Sequence, residues 1–460
     1  MSSARRRSKS SSPELPSYEE AAALVAAYAA RLTRLRPGPR SAGPRGSSPR
    51  SSGPAGPCIE RVPLDRALGR VLAEPLRADA DQPPFPRSTR DGFACRAAEA
   101  SSHRPLAVVG STRAGQTPSG SLPRGAVWEI MTGAPVPAGA DAVVMLEHVE
   151  EFDAHFEESG GPSAHAVRLL PPRTIRKGEN IVARGAQARK GEKLLSAGSL
   201  IGSAQIALAG SCGCAMLNVF PKPRVAILST GDELVAIRSS PGASQIRNSS
   251  SAMLAAMVRA AGGDPWVLPI ARDTAKSLDA ALTRAASADL LLITGGVSAG
   301  KFDLVEPALI RAGARFHFTG VRIQPGKPLV FGEMPSRSIN AGSKLRRTKC
   351  CCFGLPGNPV SSAVTFMLFA APVIAALAGQ QDRGPHFALA RLSEDVKTKT
   401  GLTRFLPAAC TFSGAVPEVA LVPWQGSGDL AAMARANCFL VVPEDSDRLR
   451  AGSTVRILLP

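Results

Sequence analysis

LLLITGGVSAGKFD (290–303) runs from an apolar stretch into a glycine-rich turn that ends on a lysine. Gly295, Gly300 and Lys301 fit the first seven positions of the phosphate-loop pattern G-x-x-x-x-G-K-[ST]. The eighth position should be a hydroxyl residue for magnesium, and it is Phe302. The strand is also the third of its series rather than the first, and no Walker-B-like segment follows. Nucleotide hydrolysis of the P-loop kind is therefore set aside. What remains is a strand-end turn suited to an anion, on a scaffold of alternating strands and helices.

That alternation extends on both sides. RVAILST, PWVLPIA, ADLLLITGG, KPLVFGE and CCFGLPG read as strands. SSAMLAAMVRAAGG, AKSLDAALTRAAS, LVEPALIRAGA and SSAVTFMLFAAPVIAALAG read as helices. Strands that are apolar at every position, alternating with helices, predict a doubly wound parallel sheet covered on both faces, with the ligand at the carboxyl ends of its strands. This α/β domain spans 219–380. Before it, 79–173 breaks into short strand-like pieces and predicts a β-rich domain. Residues 58–78 and 174–218 form a linking domain, with helices expected over 62–76 and near SLIGSAQIALAG. Residues 384–460 return to short strands and predict a small C-terminal β-domain.

At 460 residues the chain exceeds one core, and several domains are expected. The net charge of +18 is concentrated. Residues 1–57 contribute +7 and residues 336–349 contribute +5, which leaves +6 for the rest. Both basic stretches are rich in Ser, Gly or Pro and lack a hydrophobic period. They read as a tail with a linker (1–57, after a helix at 17–35 capped by Ser17) and as an insertion (336–352). No aromatics interleave with their charges, so no nucleic-acid partner is expected. Nine cysteines in this length, without paired C-x-x-C spacing, read as reduced thiols rather than a disulfide or zinc framework. No run of eighteen apolar residues stands out, so no membrane span is expected. The location is read as cytoplasmic, and the Ser/Arg-rich start leaves a transit peptide open.

The polar turns STGDEL (229–234), ARD (271–273), TGGVSAGKFD (294–303), QPGKP (324–328) and GLPGNPVSS (354–362) should converge on one sheet edge. Glycine turns and a helix N-terminus offer N–H groups to an oxyanion, and Gly295, Gly296, Ser298, Gly357, Asn358, Ser361 and Ser362 sit where one would be held. Lys327 adds a full positive charge. Asp232, Glu233, Asp273 and Asp303 add the opposite sign, which among phosphates makes sense around a divalent cation. Each carboxylate alone also reads as a cap or turn residue.

The same segments resemble the molybdopterin molybdenumtransferase family, the MoeA type that includes the E-domain of gephyrin. STGDEL, ITGGVSAGKFD, QPGKP and GLPGNPVS come in the family's order. So do STRDGFACR (88–96), IMTGAPVPAGADAVVMLEHV (130–149) and KGENIVARG (177–185) upstream. The resemblance implies an elongated homodimer whose cleft pairs the α/β domain of one subunit with the β-rich domain of the other. It implies insertion of molybdenum from molybdate into adenylylated molybdopterin, with Mg2+ and release of AMP. Asp91 and Thr132 would then be cleft residues, although each reads by itself as an ordinary turn residue. Glu233, Asp273 and Asp303 would be the magnesium-related acids, with Asp91, Thr132, Glu233 and Asp303 as the catalytic set. Pro356 and Pro359 would shape the loop beside molybdate. The implied partners are a molybdopterin adenylyltransferase and the molybdoenzymes that receive the product. The sequence departs from the family at Gln324, often lysine, at Phe93, usually tyrosine, and at Ala186-Gln187, commonly acidic. Two alternatives stay open: an adenylyltransferase, and a gephyrin-like scaffold without turnover.

Overall fold

The computed structural model describes residues 15–34, 59–154, 164–297, 304–336, 349–381 and 383–460. The basic start, the linker at 36–57 and most of the 336–352 insertion lie outside the described residues. The chain divides into two compact units. One takes in the described residues up to Glu74, Ala197–Ile206 and Met216–Pro460; the other takes in Pro75–Ser196 and Ala207–Ala215.

In the first unit, helix α1 (Tyr18–Arg34) starts where the sequence places it. Ser17 and Glu20 close a capping box: the Ser17 N–H donates to Glu20 Oε2 at 2.7 Å, and the Glu20 N–H to Ser17 Oγ at 3.1 Å. Ala21, Val25, Tyr28 and Ala29 make one buried face, as helical spacing requires. Tyr18 packs edge-on against Phe369, Phe387 and Phe405, and Tyr28 against Phe331.

The α/β domain then runs β1 (Arg224–Ser229), α2 (Ser249–Ala260), β2 (Asp264–Val267), α3 (Ala275–Ala285), β3 (Leu290–Thr294), α4 (Val305–Arg311), β4 (Arg315–Thr319), β5 (Val330–Pro335), β6 (Lys349–Leu355) and the long helix α5 (Pro359–Ala378). The sheet order is β2-β1-β3-β6-β5-β4. Successive residues of β1 and β3 face opposite cores. Ile227 and Leu292 join the cluster holding Leu254 of α2 and Phe369 of α5, while Leu228 and Ile293 join the one holding Leu282 of α3 and Leu309 of α4. Burial on both faces is why these strands read as unbroken apolar runs.

Three details depart from the sequence expectation. The sheet is mixed: β2, β1, β3 and β6 are parallel, but β5 runs antiparallel to both of its neighbours. β5 pairs directly with β6, from Val330 opposite Gly354 to Pro335 opposite Lys349. Strand β4, RFHFT, is an edge strand that carries no sustained apolar run and went unread. In β6, the strand expected at CCFGLPG, Cys350, Cys351 and Cys352 are buried, and the eight cysteines among the described residues are free. Finally, 62–76 is not a helix. It holds the end of a strand, a single 3-10 turn (Leu64–Arg66) and Gly69 at φ +71°, a left-handed turn that an α-helix cannot contain.

Helix α5 is long and apolar enough to cross a membrane, but 89% of that window is buried inside the fold. It is a core helix. One π turn, Phe366–Ala370, precedes Pro372 and relieves the clash a proline ring makes with the preceding turn.

The C-terminal strands of this unit close a small barrel: Thr403–Thr411 pairs with Glu418–Leu421 on one side and with Cys438–Val442 on the other. The second unit is built on one six-stranded sheet, in the order Ala142–Met145, Gly92–Cys95, Ala126–Ile130, Leu106–Thr112, Ala164–Leu169, Val149–Ala154.

Candidate functional site

Strand β1 has β2 on one side and β3 on the other, so the connections leaving β1 and β3 diverge and open a crevice at their carboxyl ends. Three expected turns meet there. The Thr230 N–H donates to the Thr294 carbonyl at 3.1 Å, which joins the β1 turn to β3. Gly295 adopts φ +94°, and a Cβ on it would stand 2.5 Å from the Thr230 carbonyl oxygen. Gly357, in the turn after β6, lies against the Gly295 backbone, where a Cβ would sit 3.4 Å from the Gly295 Cα. At Gly295 only a residue without a side chain lets the turns approach so closely, whereas Gly357 has room for a methyl at ordinary contact.

The result is a cleft of about 770 Å³. Gly295, Gly296, Pro356, Gly357, Asn358 and Ser361 line it, and so do Glu233, Asp273 and Lys327. An adjoining pocket of about 440 Å³ shares Glu233 and Asn358 with it and adds Pro359. Nine of the residues expected from sequence thus surround one space, with Pro359 beside it. Asp232 does not line it: its carboxylate is exposed and lies 3.8 Å from Arg272. Ser298 and Asp303 lie outside the described residues.

Glu233 and Asp273 bring two carboxylates to the cleft. Asp273 is oriented by the Thr230 hydroxyl, which donates to its Oδ1 at 2.7 Å. Among the described residues no group of three metal-ligating side chains gathers. Two carboxylates nevertheless suit Mg2+, which takes one or two from a protein and fills its shell with water and phosphate oxygens. Lys327 is exposed and makes no ion pair among the described residues, so its charge is available to an anion. The N-terminus of α5 faces the cleft through Ser361, and Asn358 is held by its Nδ2 donating to Ser427 Oγ at 2.8 Å.

Ser427 belongs to the barrel, as do Trp424, Gly426 and Leu402, which complete the cleft. Sequence reading missed all four. WQGSGD (424–429) has the glycine-rich texture of the other turns and was the available signal.

In the second unit, Asp91 and Thr132 meet. Asp91 Oδ1 accepts the Thr132 N–H at 2.6 Å. This bond, and a second from the Thr132 hydroxyl, hold the Asp91 carboxyl below its ordinary value of 3.8. A depressed acid contributes stability that is complete above its unfolded value and is lost as pH falls through the folded one. The contact is therefore at full strength from about pH 4 upward. Thr132→Ala is expected to raise the Asp91 midpoint while leaving it below the ordinary value, because the backbone donor remains. A carboxyl-carbon NMR titration checks this, and an unmoved midpoint would remove the hydroxyl from the account. Phe93, two residues on, is buried in the core of this unit.

Three family models cover the chain: the MoeA N-terminal region (domain I and II) over 17–213, the probable molybdopterin binding domain over 226–376, and the MoeA C-terminal region (domain IV) over 389–459. The molybdopterin molybdenumtransferase of Nostoc sp. is 32% identical over 420 residues, covering 87% of this chain and 88% of that protein. The one from Bacillus subtilis is 33% identical over 406 residues, covering 87% and 89%. The crystal structure of the molybdopterin biosynthesis moeA protein from Pyrococcus horikoshii OT3 superposes with a TM-score of 0.71 at 27% identity, covering 97% of this chain and all of that one.

Proposed function

Since the chain belongs to the molybdopterin molybdenumtransferase family, a transferase family of molybdenum cofactor biosynthesis, we propose that it inserts molybdenum from molybdate into adenylylated molybdopterin and releases AMP. The observation that carries this reading is the pairing, in one cleft, of anion donors with two carboxylates. Molybdate and the substrate phosphates are oxyanions, and Lys327 with the N–H groups of the glycine turns is the complement they need. Glu233 and Asp273 would hold Mg2+, which when bound neutralises phosphate charge as the adenylate leaves. Thr230 keeps Asp273 turned toward the cleft, and the apolar wall from Trp424 and Leu402 limits water around the reacting phosphate. Asp91 and Thr132 serve the same reaction as a carboxylate–hydroxyl pair, and the protein acts as a homodimer.

The test is AMP release from adenylylated molybdopterin with graded molybdate and Mg2+. Release that depends on molybdate is the expected result; none from folded protein at any molybdate would sink the reading. Glu233→Gln and Asp273→Asn are each expected to lower the rate about 100-fold and to raise the Mg2+ needed for half-maximal rate about tenfold or more. If the Mg2+ requirement stays the same in both variants, these carboxylates are not its holders.

A further inference from the structure

The QPGKP turn opens as a two-residue strand, Ile323–Gln324, laid parallel to the barrel strand Thr403–Thr411, with Gln324 directly opposite Arg404. Arg404 is 7% exposed. Its Nε donates to Gln324 Oε1 at 3.0 Å, and one Nη donates to the Leu402 carbonyl at 3.1 Å. Both acceptors are neutral, and among the described residues no carboxylate pairs with it. A buried guanidinium without a counter-ion is costly, and its positive potential acts on whatever lies beyond its hydrogen-bond partners. Here those partners, Gln324 and Leu402, are themselves cleft-lining residues.

The arrangement also fixes what Gln324 can offer. A guanidinium only donates, so the amide must turn its oxygen toward Arg404 and its NH2 group away from it. Gln324 thereby meets the cleft as donors alone, at a set position and without a charge of its own. We propose that Arg404 is a positioning residue which locks Gln324 as a neutral, donor-only contact for a tetrahedral oxyanion, and that this contact makes the cleft selective among such anions by size. The inference rests on the molybdenumtransferase reading and names how that site chooses its oxyanion. The logic is geometric: the mobile charge of Lys327 attracts any dianion, whereas an amide held at a fixed position favours the one whose oxygens reach it. On the molybdenumtransferase reading that anion is molybdate, which is larger than sulfate.

Equilibrium dialysis of the full chain against sodium molybdate and against sodium sulfate tests this. Arg404→Met is expected to weaken molybdate binding about tenfold and sulfate binding less than about twofold, with Arg404→Lys restoring most of the difference. Gln324→Leu, shown to be folded by a thermal melt because it leaves the buried Arg404 Nε without its acceptor, is expected to give the same pattern. The double variant should be no worse than either single one, because both remove one contact. Arg404 as a merely structural residue would weaken both anions equally and would not be mimicked by Gln324→Leu. Equal loss, no loss, additive losses, or wild-type protein that fails to prefer molybdate would each overturn the proposal. AMP release is measured separately: wild-type protein that selects molybdate in the Arg404-dependent manner but releases no AMP counts against the reaction and supports the inference.

Discussion

Gly295→Ala is expected to lower turnover by at least about 100-fold while the protein remains folded. The conformational penalty is modest, since a left-handed residue other than glycine costs roughly 1–2 kcal/mol. The contact is the larger matter. The new methyl would stand 2.5 Å from the Thr230 carbonyl oxygen, and the atom it meets is backbone, which cannot swing aside. The β1 turn must move, and it carries Thr230, whose hydroxyl orients Asp273, and Glu233, the other cleft carboxylate. A shift of about 1 Å in groups that align a reacting phosphate costs on the order of 100-fold. Gly357→Ala makes the comparison: its methyl would meet Gly295 at 3.4 Å, an ordinary contact, and the expected loss is less than about tenfold. AMP release and a thermal melt on both variants check this. Full turnover in folded Gly295→Ala protein would show that the turn tolerates displacement and is not a fitted cradle.

Phe369→Ala carries the largest expected effect on stability, about 3–5 kcal/mol. The side chain is fully buried at the point where α1, α5 and β4 meet, with ring contacts to Tyr18 and Phe318 at 6.2 Å each. Tyr18 also touches Phe387 and Phe405, so the cavity would undercut the joint between the α/β domain and the barrel. A chain with several cores need not unfold in one step, so hydrogen exchange is the sharper readout. Loss of amide protection in α1, with β1 and β3 still protected, is the expected result. Phe412→Ala, at a ring 60% exposed, should stay within about 0.5 kcal/mol of the parent. Equal destabilisation by both would overturn the account of this joint.

The legible part of the site was the part written locally. A turn that follows a strand and contains Gly295, Gly357 or Lys327 announces its position at a sheet edge before any contact is known. The acids show the limit of that logic. Asp232 and Glu233 are neighbours in sequence and equivalent to any spacing rule, yet one carboxylate is drawn toward Arg272 and the other lines the cleft. A single backbone step decides which, and neighbours from other elements set that step. Trp424, Ser427 and Arg404 went unread for a related reason. They come from the barrel, the first two lining the cleft and Arg404 lying behind Gln324, across a sequence separation that no local pattern spans.

By itself, the sequence determined the period of each segment in the α/β domain, the Ser17 cap, the double-sided burial of β1 and β3, and the glycine turns that line the cleft. These follow from side-chain pattern and backbone allowance over a few residues, which any chain with this order of residues must obey. Only the tertiary structure decided that β5 runs against its neighbours, that β4 exists, and that 62–76 turns at Gly69 instead of coiling. It alone placed Arg404 behind Gln324 and Asp91 against Thr132. Each of these depends on strand register and on which distant backbone supplies the missing hydrogen-bond partner, a choice made by the whole fold at once.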